Sequence, residues 1–131
     1  MGGFLYDSSS QSVLLHKRDA KAPIYPNQWS VFGGNSEGDE LPVDCFVREF
    51  KEETGVTIPK ERVRLLEKFY ADSFGKDQYH YFAEFVIPKS AVVLTEGEGF
   101  DWIPLREVEH YPLSEVAIRA LRVFRQEYAK A

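Results

Sequence analysis

The sequence predicts an α+β fold, a mixed β-sheet sandwiched between α-helices. Short apolar runs separated by turn residues recur from Phe4 to Ile103. A helical apolar stripe interrupts them at residues 42–54, and a second one closes the chain from Ser114 onward. Strands with one internal and one terminal helix bury both sheet faces when each face takes a helix. At 131 residues, with 44% hydrophobic and 15% aromatic content, the chain reads as one globular domain over residues 1–131.

Phe4 to Tyr6 and Val13 to Lys17 read as two strands across the polar turn Asp7-Ser8-Ser9-Ser10-Gln11. A loop with Pro23 and Pro26 follows, then a short strand around Trp29 to Phe32. Gly33 and Gly34 lead into an acidic loop and the first helix. Arg62 to Ala71 and Gln78 to Ile87 form an expected hairpin, with Gly75-Lys76-Asp77 in its turn. Ala91 to Leu94 is a short apolar run, Gly97 and Gly99 mark a loop, and a strand is expected near Asp101 to Ile103. In the last helix Ala117, Ala120, Leu121, Phe124 and Tyr128 form the stripe, Ser114 is the N-cap, and Glu115 favours the first turn.

The first helix carries the chemistry. Pro42 suits a first turn, and Gly55 suits the left-handed position just past the end. Leu41, at the expected N-cap, cannot accept the free N–H groups, and Asp44 offsets part of that loss through the helix dipole. Val43, Phe46, Val47, Phe50 and Thr54 fall on one stripe, ready to dock on a sheet. At about 100° per residue, Glu49, Glu52 and Glu53 lie within roughly one third of a turn of one another, off that stripe. Glu49 and Glu53 repel across one turn by roughly 0.2–0.5 kcal/mol, an effect a bound cation would reverse. Carboxylates without His or Cys partners favour Mg²⁺ or Mn²⁺ over zinc.

Composition excludes several classes. A formal net charge of −5 argues against a nucleic-acid partner, which calls for a positive footprint. No apolar run approaches the ~20 residues that cross a bilayer, so no membrane partner is expected. No signal-peptide pattern opens the chain. Cys45 alone can form no internal disulfide, which fits a cytoplasmic location. A small nucleotide remains an acceptable ligand, since a cation and local basic residues can outweigh a modest global charge.

Gly34 is followed after five residues by Glu40, and after seven more by Arg48-Glu49-Phe50-Lys51-Glu52-Glu53-Thr54-Gly55-Val56. This string resembles the Nudix box, G-x5-E-x7-R-E-U-x-E-E-x-G-U with U a bulky aliphatic residue; Phe50 is the one departure. LLHKRD, WSVFGG and EGEGFDW extend the resemblance over nearly the whole chain. The resemblance implies the Nudix α/β/α fold and a metal-dependent pyrophosphohydrolase that cleaves a nucleoside diphosphate linked to another moiety. It implies Glu52 and Glu53 as metal ligands, with Glu49 a third ligand or the base that activates water. It also implies Arg48 as the clamp on a box carboxylate, the Gly33 carbonyl in the metal shell, and Gly34, Glu40 and Gly55 in support.

In some members the base lies in a late loop, where this chain has Glu96 and Glu98; Glu96 is the expected one, with Glu98 the alternative. Arg18 is a candidate phosphate ligand. Tyr25, Asn27 and Trp29 are candidates for a base or ribose contact, core packing being the competing role for Trp29. His16, His80 and His110 lack metal-like spacing and read as structural or solvated, and Cys45 reads as a small packed residue.

The box does not name the substrate. Submotifs of ADP-ribose and diadenosine-polyphosphate relatives are not evident, and PLSEV stands where guanine-oxidation sanitisers present an asparagine. The favoured reaction converts a (d)NTP to a (d)NMP and pyrophosphate. ADP-ribose or a nucleotide sugar is the alternative substrate, and a nucleotide sensor without turnover is the alternative of another class. A monomer or a homodimer is expected.

Overall fold

One mixed sheet organises the chain, and its alternating side chains feed two separate cores. The computed structural model describes residues 1–95 and 97–128. Strand β1 (Gly2–Asp7) lies in the middle, antiparallel to β2 (Ser12–Lys17) and parallel to β6 (Lys76–Glu84). Beyond β2 stands β3 (Trp29–Ser30), and beyond β6 stands β5 (Val63–Ala71). The two-residue β4 (Phe32–Gly33) pairs with the start of β1, and β7 (Gly99–Pro104) pairs with β2.

Successive residues of a strand point to opposite faces. Phe4, Val13, Leu15, Phe82 and Ile103 therefore face one side, where helix α2 (Glu115–Glu127) covers them with Ala117, Ala120, Leu121 and Phe124. Leu5, Leu14, Tyr81 and Ala83 face the other, where helix α1 (Pro42–Thr54) brings Phe46 and Phe50. Each fully buried aromatic or aliphatic side chain stabilises the fold by about 1.5–3 kcal/mol. The expected three-layer sandwich is the observed one.

The hairpin differs from expectation in its turn. Gly75, at φ +67, closes the turn, after which Lys76 and Asp77 pair with Ala71 and Tyr70 inside β6. The strand ends at Glu84, three residues short of the predicted Ile87. Tyr128, placed on the α2 stripe, lies just past the helix and is half exposed, stacked on Phe124.

The second helix begins as its sequence directs. The Ser114 hydroxyl accepts from Ala117 N and donates to the Ser30 hydroxyl at 2.8 Å, tying α2 to β3. Both serines are buried. Ser114→Ala should cost about 2 kcal/mol, roughly half from the cap and half from the lost buried hydrogen bond. Urea unfolding measures this, and an unchanged midpoint would rule out the tie.

Candidate functional site

Helix α1 runs over the predicted residues, but its buried face is rotated toward the acidic row. Leu41 supplies no side-chain cap, and Gly55 sits at φ 78 with its N–H on the Lys51 carbonyl. Cys45, Phe46, Phe50, Glu53 and Thr54 are the buried positions, whereas Val43 and Val47 are only half-buried. Glu53 is thus 8% exposed instead of lying clear of the packed stripe. A carboxylate carried this far from bulk water needs compensation from charge or hydrogen bonds.

Arg48 organises the carboxylates. Its Nε and Nη2 hold both oxygens of Glu40 at 2.7 and 3.0 Å, a bidentate clamp. Its Nη1 donates to Glu49 Oε1 at 3.0 Å and to Glu52 at 3.1 Å, and Nη2 also reaches the Asn35 carbonyl. Arg48 beside Glu40 holds that carboxyl below the usual carboxylate value, and Glu40, Glu52 and Glu49 in turn keep the guanidinium protonated. The resemblance gives Glu40 a supporting role, and in the structure it anchors the clamp.

Gly34 packs against this assembly. A Cβ built on it would lie 2.6 Å from the Glu49 carboxyl carbon, so any larger residue here would displace that carboxylate. Gly33 is tighter still, its own Cβ falling 2.1 Å from the Met1 carbonyl across the β1–β4 pairing.

These elements border a cleft of about 590 Å³. Gly33, Gly34, Glu49 and Glu53 line it, and so does Arg18, whose Nε donates to the Ile24 carbonyl at 2.6 Å. Glu52 does not line the cleft; its carboxylate is 57% exposed on the rim, turned to Arg48. Tyr25 lines the cleft from a loop where it and Asn27 adopt left-handed backbone, at φ 53 and 62. Trp29 is not part of the lining. Its ring meets Tyr111 edge-on at 5.4 Å and packs on the α2 core, so of the two roles weighed for it the structure shows packing. Of the three residues weighed for a base or ribose contact, Tyr25 is the one that lines the cleft, and its positive φ had no signal in the sequence beyond the flanking prolines.

Glu96 lies outside the described residues. Its neighbours on both sides are pinned: Thr95 N donates to the Glu53 carbonyl and Thr95 Oγ1 to the Glu52 carbonyl, while Glu98 N donates to the Lys17 carbonyl. The Glu98 carboxylate pairs with Lys17 at 3.4 Å and does not line the cleft.

The NUDIX domain family matches this chain over residues 1–125. The chain belongs to the NUDIX family. Among relatives, it is 33% identical over 90 residues to the m7GpppN-mRNA hydrolase NUDT17 of Bos taurus, a match covering 63% of this chain and 30% of that protein. It therefore spans under a third of that relative. It is 23% identical over 122 residues to the nucleoside triphosphatase NudI of Escherichia coli (strain K12 / DH10B), covering 86% of each. In structure, the E. coli ORF135 protein superposes with a TM-score of 0.77 at 21% identity, covering 98% of this chain and 89% of that one.

Nudix hydrolases generally use divalent metal ions. Three carboxylates line the cleft, Glu37, Glu49 and Glu53, as do the imidazoles of His16 and His80; Glu52 shares the Arg48 clamp with Glu49, and the Gly34 backbone passes close to the Glu49 carboxyl. Among the described residues no three His, Cys, Asp or Glu side chains form a ready cation cage. Divalent ions such as Mg²⁺ take one or two protein carboxylates and complete their shell with water and substrate phosphate.

Burial fixes the state of the cleft histidine on the α1 side. His16 Nε2 lies 3.0 Å from the Val31 carbonyl and its ring lies tilted against Phe32, and burial pushes its pKa from 6.5 down to about 4. Burial lowers His80 as well, against the pull of Glu67. Between pH 6.5 and about 4 the unfolded chain takes up a proton that folded His16 refuses. Stability should therefore fall as the pH drops through that window, by up to about 3 kcal/mol from His16. Urea midpoints across pH 4–7 measure it, and His16→Gln should flatten much of the slope.

Proposed function

We propose that this Nudix chain is a Mg²⁺-dependent pyrophosphohydrolase that converts a nucleoside triphosphate, ribo or deoxy, to the monophosphate and pyrophosphate. The observation that carries the reading is the meeting of Glu49 and Glu53 with the Gly33–Gly34 backbone at a cleft large enough for a nucleotide. Likeness over most of both chains to a protein named a nucleoside triphosphatase supports the substrate class.

Hydrolysis adds water to phosphorus and breaks one P–O bridge, leaving the water's proton to a base and the charge on pyrophosphate. A bound Mg²⁺ supplies acidified water and a clamp on the phosphates. In this reading Glu53 and Glu49 hold the cation, with the Gly33 carbonyl, and Glu52 contributes from the rim. Arg48 keeps Glu49 in one orientation by its bond to Oε1, so the carboxylate is positioned before substrate arrives. Arg18 neutralises a phosphate at the cleft wall. Glu96 is the base that takes the water's proton, because Glu98 is engaged by Lys17. The single Cys45 and the lack, among the described residues, of any helix long and apolar enough to cross a membrane accord with a cytoplasmic enzyme.

Incubation with Mg²⁺ and a panel of nucleoside triphosphates, ADP-ribose and nucleotide sugars tests the reading. The expected products are a nucleoside monophosphate and pyrophosphate; release of inorganic phosphate, or turnover of ADP-ribose alone, would replace the substrate assignment. Glu96→Gln should depress kcat strongly and Glu98→Gln should not.

A further inference from the structure

The cleft has a second polar wall that the cation chemistry does not use. Gln78, His80 and Phe82 alternate with Tyr79, Tyr81 and Ala83 along β6, and Phe82 belongs to the α2 core. His80 therefore lines the cleft from the α2 side of the sheet, opposite the face that carries the α1 carboxylates. Its Nδ1 lies 3.1 Å from Glu67 Oε2. Arg119 grips Glu67 in turn, through Nε at 3.1 Å and Nη2 at 3.0 Å, and its guanidinium covers the Phe69 ring at 3.6 Å. Phe69 meets the His80 ring edge-on, so the imidazole is fixed on two sides.

The hydrogen-bond chemistry follows from this chain of contacts. A carboxylate held by a guanidinium only accepts, so Nδ1 of His80 carries the proton and Nε2 keeps its lone pair. Burial lowers the pKa of the ring, which agrees with a neutral side chain. Among the described residues no buried side-chain nitrogen or oxygen lacks a partner, and the contact shown for His80 is through Nδ1. His80 lines the cleft, and Nε2 is the ring nitrogen left outside the Glu67 contact. An Arg–Glu–His relay, its imidazole buried and its guanidinium half exposed, fixes one tautomer and offers one acceptor to whatever fills the cleft.

We propose that His80 is a specificity-determining residue, its Nε2 accepting a hydrogen bond from an N–H or O–H donor on the nucleoside of the substrate. The donor is an exocyclic amino group or a ribose hydroxyl. Glu67 and Arg119 are positioning residues that act through the imidazole. This assignment rests on the nucleoside triphosphate reading above.

Paired substrates test it with Mg²⁺: GTP against ITP, ATP against purine riboside triphosphate, and each ribonucleotide against its 2′-deoxy form. The protein should favour the donor-bearing member of at least one pair by about tenfold in kcat/KM, because the analogue leaves Nε2 unpaired. The base pairs and the sugar pairs separate the two sources. In His80→Phe the preference should shrink to within about twofold, a change a packing defect would not produce. Equal discrimination in protein and variant, or none in either, overturns the assignment. If His80→Phe does not fold, ¹⁵N NMR of the unaltered protein decides. Nε2 should resonate as an unprotonated nitrogen and move upfield when an α,β-methylene nucleoside triphosphate binds. Failure to hydrolyse any triphosphate overturns the enzymatic reading, whereas an unmoved Nε2 overturns this one.

Discussion

Glu53→Gln should abolish Mg²⁺-dependent turnover while leaving the fold intact or slightly more stable. Loss of an outer partner of a metal ligand typically costs 10–100-fold in activity. Loss of a ligand itself should exceed that, so kcat is expected to fall by more than about 100-fold. Stability should move the other way, because the substitution removes one of two like charges spaced one turn apart on α1, a gain of roughly 0.2–0.5 kcal/mol. The substituted side chain is nearly isosteric, so the 8%-exposed position need not repack. Mg²⁺ itself separates the two effects. At ten times its Kd the ion should stabilise the unaltered protein by about 1.4 kcal/mol, a few degrees in Tm, and the variant hardly at all. Turnover of Glu53→Gln at the original rate would remove Glu53 from the cation shell.

Much of this arrangement was legible in the residues because its spacings are local. Helix α1 runs from Pro42 to Thr54 as read, since proline and glycine mark its ends with backbone constraints that tertiary packing does not override. The sandwich followed from apolar alternation, which distributes Phe4 and Leu5 to opposite cores whatever their partners. What the sequence did not reveal depends on contacts distant in the chain. Glu53 is buried because α1 rolls toward the row of Cys45 and Glu49, a rotation set by how Phe46 and Phe50 seat on Tyr81 and Phe32. Trp29 packs on Tyr111, far along the chain, whereas Tyr25 reaches the cleft through a left-handed residue that no composition rule anticipates. Lys76 and Asp77 are ordinary turn residues by sequence, yet pairing with Ala71 and Tyr70 makes them strand.

Gly34, which opens the box, and Gly33 just before it should fail in opposite ways. At Gly34 an added methyl would meet the Glu49 carboxyl group at 2.6–2.8 Å, the far end of a flexible side chain. Glu49 can yield, so Gly34→Ala should cost little stability, about 1 kcal/mol or less, comparable with an off-rotamer side chain. Yielding moves the carboxylate that Arg48 holds, and misplacing a reacting group by about 1 Å can cost around 10²-fold in rate. At Gly33 the added methyl would fall 2.1 Å from the Met1 carbonyl and 2.8 Å from the Gly2 Cα, backbone that cannot swing aside without opening the β1–β4 pairing. Overpacking of that kind costs about 1–3 kcal/mol or more, so Gly33→Ala should show a lowered Tm before any catalytic defect is considered. Thermal unfolding and kcat, measured on both variants, give the cross. Gly34→Ala with full activity would mean that Glu49 needs no fixed position. Gly33→Ala with an unchanged Tm would mean that the short β4 pairing adds nothing to the fold.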